Sequence, residues 1–259
     1  MRLCVIGDPV AHSLSPAIHR AALRAAGIAG EYEALRIPAG TLRERLDGLR
    51  ARYLGCNVTT PLKEEAAALC ARLDDFARAV GAANTLRFDA EGTAGWNTDG
   101  EGAAVAAARA AGTSSVEGVS VAVLGTGPAA RAAALGIAQR GGRVAVWGRR
   151  EEGVRGVLAL VAGARPWGFE SIDVVFSTLP PGVELPPLLA GALVAAPAVV
   201  DANYGPRADL GARLGRPVAD GLTMLVAQAA ASFRLWLGIE PDVTAMERAA
   251  KLEAADRSA

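Results

Sequence analysis

Only two of the 259 residues are histidine, His12 and His19, and only two are lysine, Lys63 and Lys251. Chemistry built on a histidine base therefore has few candidates, and each lysine stands out among basic residues that are otherwise arginine. Cysteine is equally sparse. Cys4, Cys56 and Cys70 are odd in number and lack metal-ligand spacing, which argues against a disulfide framework or a zinc site, so no metal is expected. Charge of one sign is missing too: Lys and Arg total 27, Asp and Glu total 27, and the formal net charge is zero. Nucleic-acid binding needs an excess of basic residues to displace counterions, so no nucleic-acid partner is expected. The longest uncharged run, Leu185–Val200, falls short of the ~20 residues a membrane helix needs and contains three prolines. With no signal-peptide pattern before the strand-like run Arg2–Gly7, a cytoplasmic protein without a membrane partner is expected.

What is present suits a packed globular chain, at 51% hydrophobic and 21% charged residues. At ~150 residues per domain the length suggests one large domain or two modest ones. The abundance of alanine and of arginine over lysine fits a coding bias. Leu3–Ile6, Tyr32–Ile37 and Gly55–Thr59 read as strands, and Pro16–Ala26, Leu42–Tyr53 and Pro61–Leu73 as helices. Ser15-Pro16 and Thr60-Pro61 have the form of an N-cap followed by proline at the first helical position. Asn84–Phe88 and Thr93–Asn97 flank a hairpin turn, and Thr98 with Glu101 has the form of a capping box opening a helix to Ala111. Beyond the loop Gly112–Gly118 a second alternation begins. Its strands are Val119–Leu124, Arg143–Trp147, a weak Arg165–Phe169, Asp173–Ser177 and Ala198–Ala202; its helices are Pro128–Gln139 and Glu151–Ala162. Only a turn fits between Phe169 and Asp173. Apolar Leu222–Leu237 and then Val243–Ala255 close the chain as helices. The pattern is that of an α/β fold.

The clearest motif is Gly125-Thr-Gly127-Pro-Ala-Ala130, a G-x-G-x-x-A between a strand and a helix. In that context Gly125 permits the tight turn, Gly127 lets a pyrophosphate approach the backbone, and Ala130 lets helix and strand pack closely. Free N–H groups at the helix start suit phosphate. Where NAD-binding folds usually carry an acid for the ribose 2′-hydroxyl, this chain has Gly148-Arg149-Arg150. Two guanidiniums suit a 2′-phosphate, which points to NADP(H) as cofactor.

Lys63 falls in the first turn of a helix, where the macrodipole disfavours a cation and eases proton loss. An arginine could not exchange that proton near neutral pH. Taken alone, Lys63 is an ordinary solvated lysine followed by Glu64 and Glu65. Asp99 reads as a helix-start carboxylate able to point elsewhere, because Thr98 can cap. A Lys/Asp pair near a hydroxyl could shuttle the proton lost on its oxidation. Ser13, Ser15, Asn57, Thr59, Asn84, Asn97 and Gln228 are uncharged hydrogen-bonding residues at strand ends and helix starts. They suit a polyhydroxylated ligand or a carboxylate, and singly each also reads as a cap or turn residue. Met224 reads as core.

Seven stretches follow one another in a set order. They are Ser13-Leu-Ser15-Pro16 with His19, Asn57-Val-Thr-Thr-Pro61-Leu-Lys63, Gly81-Ala-Ala-Asn84-Thr85, Asn97-Thr98-Asp99-Gly100, the Gly125 loop, Asp201-Ala-Asn-Tyr204, and Asp220-Gly221-Leu-Thr-Met224-Leu-Val-Ala-Gln228. Together they resemble the shikimate dehydrogenase family (shikimate and quinate dehydrogenases) over nearly the whole chain. The resemblance implies a two-domain fold: an N-terminal α/β substrate domain over 1–99, joined by a C-terminal helix within 236–259, and a Rossmann domain over 100–235. It implies that Ser13 and Ser15, helped by Tyr204, bind the shikimate carboxylate. Thr59, Asn84, Asp99 and Gln228 would hold ring hydroxyls, supported by Asn57. Lys63 would exchange the proton at the C3 oxygen, with Asp99 as its partner. Gly125, Thr126, Gly127, Ala129 and Ala130 would hold the dinucleotide, Arg149 and Arg150 its 2′-phosphate, and Gly221 and Met224 would border the nicotinamide. The activity implied is reversible, NADP-dependent reduction of 3-dehydroshikimate to shikimate in aromatic amino-acid (chorismate) biosynthesis, by a monomer or homodimer whose cleft closes about a hinge.

This chain departs from the family pattern in places. The usual glycine loop G-A-G-G-A-x-R has Thr126 and Pro128 here, and Asn-Arg-Thr becomes Gly148-Arg149-Arg150. Ser177-Thr178-Leu179 stands for Asn-Ala-Thr, and Arg20 stands where Asn often follows the histidine. None removes Lys63 or Asp99. Two alternatives stay open: a same-fold enzyme acting on quinate or shikimate with NAD, and a catalytically silent NADP-sensing regulator. Paired serines favour shikimate, and the retained Lys63 and Asp99 favour an enzyme. A non-catalytic interaction module leaves a polar constellation split across two domains unexplained.

Overall fold

Short apolar runs alternating with helical stretches form two sheets in the computed structural model, which describes residues 1–257. The last two positions of the expected 236–259 segment lie outside the described residues. The chain divides into two compact units, one of Met1–Thr98 with Val226–Arg257 and one of Asp99–Leu225. The return to the first unit comes earlier than the expected crossing at 235. The reason is in the bonds of helix Leu222–Leu237: the Asn57 amide donates to Ser232 Oγ (3.0 Å), and Trp236 Nε1 donates to Leu86 O (2.8 Å).

The first unit holds a six-stranded sheet in the spatial order Glu31–Arg36, Arg2–Gly7, Gly55–Val58, Thr85–Asp89, Gly92–Trp96, Arg72–Leu73. Its first three strands are parallel, and the expected hairpin pairs antiparallel beside them. Side chains alternate across Arg2–Gly7 with the period of a strand, and both faces are buried. Cys4 and Ile6 join Leu42, Leu62 and Leu86 on one face, while Leu3 and Val5 join Tyr32 and Trp236 on the other. Helix Val243–Asp256 packs on helix Ser15–Ala25.

Local structure differs from expectation at several points. The helix expected over Pro61–Leu73 spans Lys63–Leu69 and is entered through Leu62, not capped by Thr60. Cys70 turns the chain into extended conformation, and Arg72–Leu73 pairs with Gly92–Trp96 as a strand. The Ala71 N–H donates to Thr93 O (2.9 Å), and Arg72 bonds the Asp89 carboxylate at 2.6 and 2.8 Å. Those tertiary partners override the helix-forming composition. Ser15 likewise lies inside its helix rather than capping it. A short helix, Asp75–Val80, occupies a stretch given no element in the sequence analysis; the Asp74 carboxylate caps it by accepting from Ala77 N (2.9 Å). The helix expected over Glu151–Ala162 ends at Leu160. The uncharged run near 185–200 forms helix Pro187–Ala195 and strand Ala198–Asp201.

The second unit is a parallel five-stranded sheet in the order Ala198–Asp201, Val174–Ser177, Ser120–Leu124, Arg143–Trp147, Arg165–Pro166. Its first strand in sequence is central, and successive strands extend outward on one side before the chain crosses to the other. This doubly wound arrangement reverses between Ser120–Leu124 and Val174–Ser177. At such a switch point the carboxyl ends of the strands leave a crevice for a ligand.

Candidate active site

Within the first unit, buried amides and hydroxyls form one bonded cluster at the strand ends. Tyr32 OH donates to Asn57 Oδ1 (2.7 Å), and Asn57 Nδ2 donates to Asn84 O, Thr85 Oγ1 and Ser232 Oγ at 3.0–3.3 Å. Asn84 Oδ1 accepts from Thr98 N (2.8 Å) and Thr85 Oγ1 (3.0 Å), while Asn84 Nδ2 donates to Thr98 Oγ1 (3.0 Å) and Gln228 Oε1 (3.3 Å). Ser232 Oγ shares a 2.7 Å bond with Thr85 Oγ1 and donates to Gln228 O (2.9 Å). The fold thus brings Asn57, Asn84 and Gln228 together. Asn97 serves differently: its amide donates to Ala82 O (2.9 Å). Every member of the cluster is uncharged, so it can fix hydroxyl orientations without imposing a charge on a neutral ring. Thr85, Thr98 and Ser232 are members that the sequence reading missed or read only as a cap. The available signal for Ser232 was its place four residues after Gln228, on the same face of an apolar helix.

His19 is fully buried beside this cluster, stacked on Tyr32 with ring centroids 4.4 Å apart. Among the described residues neither ring nitrogen has a hydrogen bond of good geometry, although the Asn57 side chain lies close enough to act on the ring. Burial pushes its pKa from 6.5 to about 3, and the Asn57 side chain offsets this only in part. Ser13 and Ser15 are buried at the start of helix Ser15–Ala25, with Ser15 N donating to Ser13 Oγ (3.3 Å). Thr59 packs its methyl against Gly7, where a β-carbon would meet it at 2.4 Å. Lys63 is half-buried at the first position of its helix, and its carbonyl accepts from Ala83 N (2.9 Å). Glu65 is committed elsewhere: its carboxylate accepts from Gly40 N and Leu42 N at 2.9 and 3.0 Å.

In the second unit Gly125 directly follows the central strand with φ +116, a conformation that side chains resist, and its N–H donates to Trp147 O (2.8 Å). A β-carbon there would lie 2.4 Å from Thr178 Oγ1, and the Thr178 hydroxyl itself donates to Leu124 O (2.8 Å). Thr178 follows the strand across the switch point, so it braces the turn from the opposite side. Gly127 is exposed and caps helix Pro128–Gln139 in extended conformation (φ −76). Among the described residues, and apart from its chain neighbours, no atom lies within 4 Å of where its β-carbon would be. Neither backbone conformation nor packing calls for glycine at this position, whereas an approaching diphosphate does. Ala129 is half-buried in the first turn and Ala130 fully buried, 3.5 Å from a β-carbon built on Gly125. The turn therefore fits a dinucleotide.

Arg149 and Arg150 are exposed just after strand Arg143–Trp147. Tyr204 is half-buried in this second unit, not in the unit of Ser13 and Ser15. Its loop is ordered by Asp201, which accepts from Asn203 N and Nδ2 at 3.0 and 2.8 Å. Burial raises the Asp201 pKa, opposed by these bonds. Gly221 lies against the chain at Ala202, whose carbonyl oxygen would be 2.2 Å from a β-carbon, and Met224 is buried one turn on. Asp99 is buried at the start of helix Asp99–Ala110, where the macrodipole favours its carboxylate.

Residues 5–86 match the family model of the shikimate dehydrogenase substrate binding domain, and residues 221–251 that of the shikimate 5'-dehydrogenase C-terminal domain. The chain is 39% identical to a protein of Methanothrix thermoacetophila named shikimate dehydrogenase (NADP(+)), with 95% of each chain covered. It is 38% identical to the Thermus thermophilus protein of that name, covering 97% of this chain and 98% of the other. A crystal structure of shikimate 5-dehydrogenase from Thermus thermophilus, in complex with NADP(H) and shikimate, superposes with a TM-score of 0.84 at 35% identity. That superposition covers 98% of this chain and 99% of the other.

Proposed function

The chain belongs to the shikimate dehydrogenase family, and from that premise we propose that it catalyses the reversible, NADP-dependent reduction of 3-dehydroshikimate to shikimate. One observation carries the reading: the likeness spans both units, with the amide and hydroxyl cluster in one and the Gly125 turn in the other. When bound, NADP(H) supplies or accepts the hydride. The chain's own residues supply the rest. Lys63 gives its ammonium proton to the oxygen of the carbonyl being reduced and takes it back in the reverse direction, and Asp99 is its acidic partner in that transfer. Ser13, Ser15 and Tyr204 bind the carboxylate. Thr59, Asn84 and Gln228 orient the ring hydroxyls, and Asn57, saturated by protein partners, supports them. Gly125, Thr126, Gly127, Ala129 and Ala130 form the seat of the diphosphate, Arg149 and Arg150 bind the 2′-phosphate, and Gly221 and Met224 border the nicotinamide.

The test is absorbance at 340 nm, crossing shikimate and quinate with NADP and NAD. Rapid reduction with shikimate and NADP alone supports the reading. Turnover favouring quinate or NAD corrects the specificity. Silence in every combination, with NADP still bound, replaces the enzyme by a sensor.

A further inference from the structure

Thr126 stands between the two glycines of the dinucleotide turn, yet its side chain rests against another loop. A β-carbon on Gly148 would lie 2.6 Å from Thr126 Cγ2, and one on Gly153 would lie 2.6 Å from Thr126 Oγ1. Neither glycine has a positive φ, so the backbone does not call for glycine at either position. Gly153 lies in helix Glu151–Leu160, where glycine is a poorer residue than alanine. What the two missing side chains provide is room for Thr126. Gly148 directly follows strand Arg143–Trp147, Gly153 lies in the first turn of the helix, and exposed Arg149 and Arg150 lie on the chain between them.

We infer that Thr126 is a positioning residue for recognition of the cofactor's 2′-phosphate: seated between Gly148 and Gly153, it holds the arginine turn at a fixed distance from the diphosphate turn. The inference rests on the NADP reading above and deepens it. The diphosphate and the 2′-phosphate of one dinucleotide are joined through a single ribose, so their spacing is set covalently. A protein that binds both must set the same spacing between its two loops. Thr126 is part of one loop and packs on the other, so its hydroxyl and methyl fix that spacing. Loosening it costs the 2′-phosphate contact specifically, because the diphosphate seat is made by backbone.

The experiment titrates the full chain with NADP and with NAD by calorimetry, alongside a melting curve for each variant. Thr126→Ala is expected to lower the NADP-to-NAD affinity ratio about five- to tenfold, through weaker NADP binding. Thr126→Val keeps both branches and restores the ratio. Gly148→Ala, whose methyl meets Thr126, also lowers the ratio, and combining it with Thr126→Ala recovers part of the loss. An unchanged ratio in Thr126→Ala, an equal loss for both cofactors, or no rescue by valine overturns the inference while leaving the cofactor reading intact. A parent chain that binds NADP no better than NAD sinks that reading, and this inference with it.

Discussion

In the first unit the candidate site is made of side chains: Asn57, Asn84, Thr85, Thr98 and Ser232 are buried and bonded to one another across strands, a helix start and helix Leu222–Leu237. In the second it is made by leaving side chains out, at Gly125 and Gly127, so that backbone N–H groups and helix dipole face the ligand. The difference follows from what each proposed ligand offers. A ring with several hydroxyls has directional donors and acceptors, which need matched partners at fixed angles. A diphosphate offers diffuse negative charge, which backbone amides meet if nothing blocks the approach. The first unit should therefore fail when atoms are removed, and the second when atoms are added.

Lys63→Ala tests the first half most severely. Removing a general acid is expected to cut turnover about 10²–10⁴-fold, while NADP affinity and the melting temperature stay near those of the parent. Steady-state rates in both directions, with a binding titration beside them, provide the check; near-normal turnover removes Lys63 from proton transfer.

Adding one methyl group tests the second half. Gly127→Ala places its β-carbon in open space at φ −76, so the fold should be spared. If the diphosphate occupies that space, NADP and NAD affinity should both fall about 10- to 100-fold, the equivalent of a 1–3 kcal/mol steric cost. Gly125→Ala differs in kind. Its φ of +116 and the Thr178 hydroxyl 2.4 Å away should cost about 1–3 kcal/mol of stability before any ligand is present. Thermal melts and calorimetric titrations of both variants separate a ligand-facing glycine from a fold-required one, and the contrast collapses if both variants melt alike.

Removing atoms from the buried cluster should have an effect of similar size, shared between fold and site. Asn57→Ala strips partners from Tyr32 OH, Thr85 Oγ1 and Ser232 Oγ and should cost about 1–3 kcal/mol. Ser232→Ala removes a member of the same cluster, so the double variant should destabilise by less than the sum of the two. Urea unfolding of the four proteins measures that coupling; strict additivity would show the bonds do not act together.

How much of this was legible in the sequence depends on how local the determinants are. The Gly125 turn could be read because strand, turn and helix start lie within a few residues, and Ala130 beneath Gly125 completes the same local pattern. Gln228 was named through a longer motif, but Ser232 was not, because a lone serine in Leu222–Leu237 looks like tolerated core until Asn57 and Thr85 are beside it. Thr98 reads as a helix cap, and only the fold shows its hydroxyl turned to Asn84. Arg72–Leu73 is a strand because Thr93 and Asp89 make it one, and two residues carry no period of their own. Helix Asp75–Val80 did carry a local signal, Asp74 as cap and Gly81 as stop, which its brevity hid.

The test whose effect at pH 7 is smallest sharpens the comparison at its edge, where the buried cluster meets the core. His19 titrates near 6.5 when unfolded but only near 3 in the folded chain, because burial disfavours the charged ring. Between those pH values the unfolded state binds a proton that the folded state does not. The contribution is therefore intact above about pH 6.5 and lost as pH falls toward 3, at up to about 1.4 kcal/mol per pH unit. His19→Phe keeps a flat ring to stack on Tyr32 and removes the titration. Stability at pH 7 should change little, since neither ring nitrogen has a well-formed hydrogen bond to lose among the described residues, whereas the acid limb of the urea midpoint between pH 6 and 4 should flatten. Carboxylates titrate in both proteins alike, so the difference between the two curves isolates this residue. Parallel acid limbs would mean that His19 is protonated in the folded state, and its place beside Asn57 would then be a charged one.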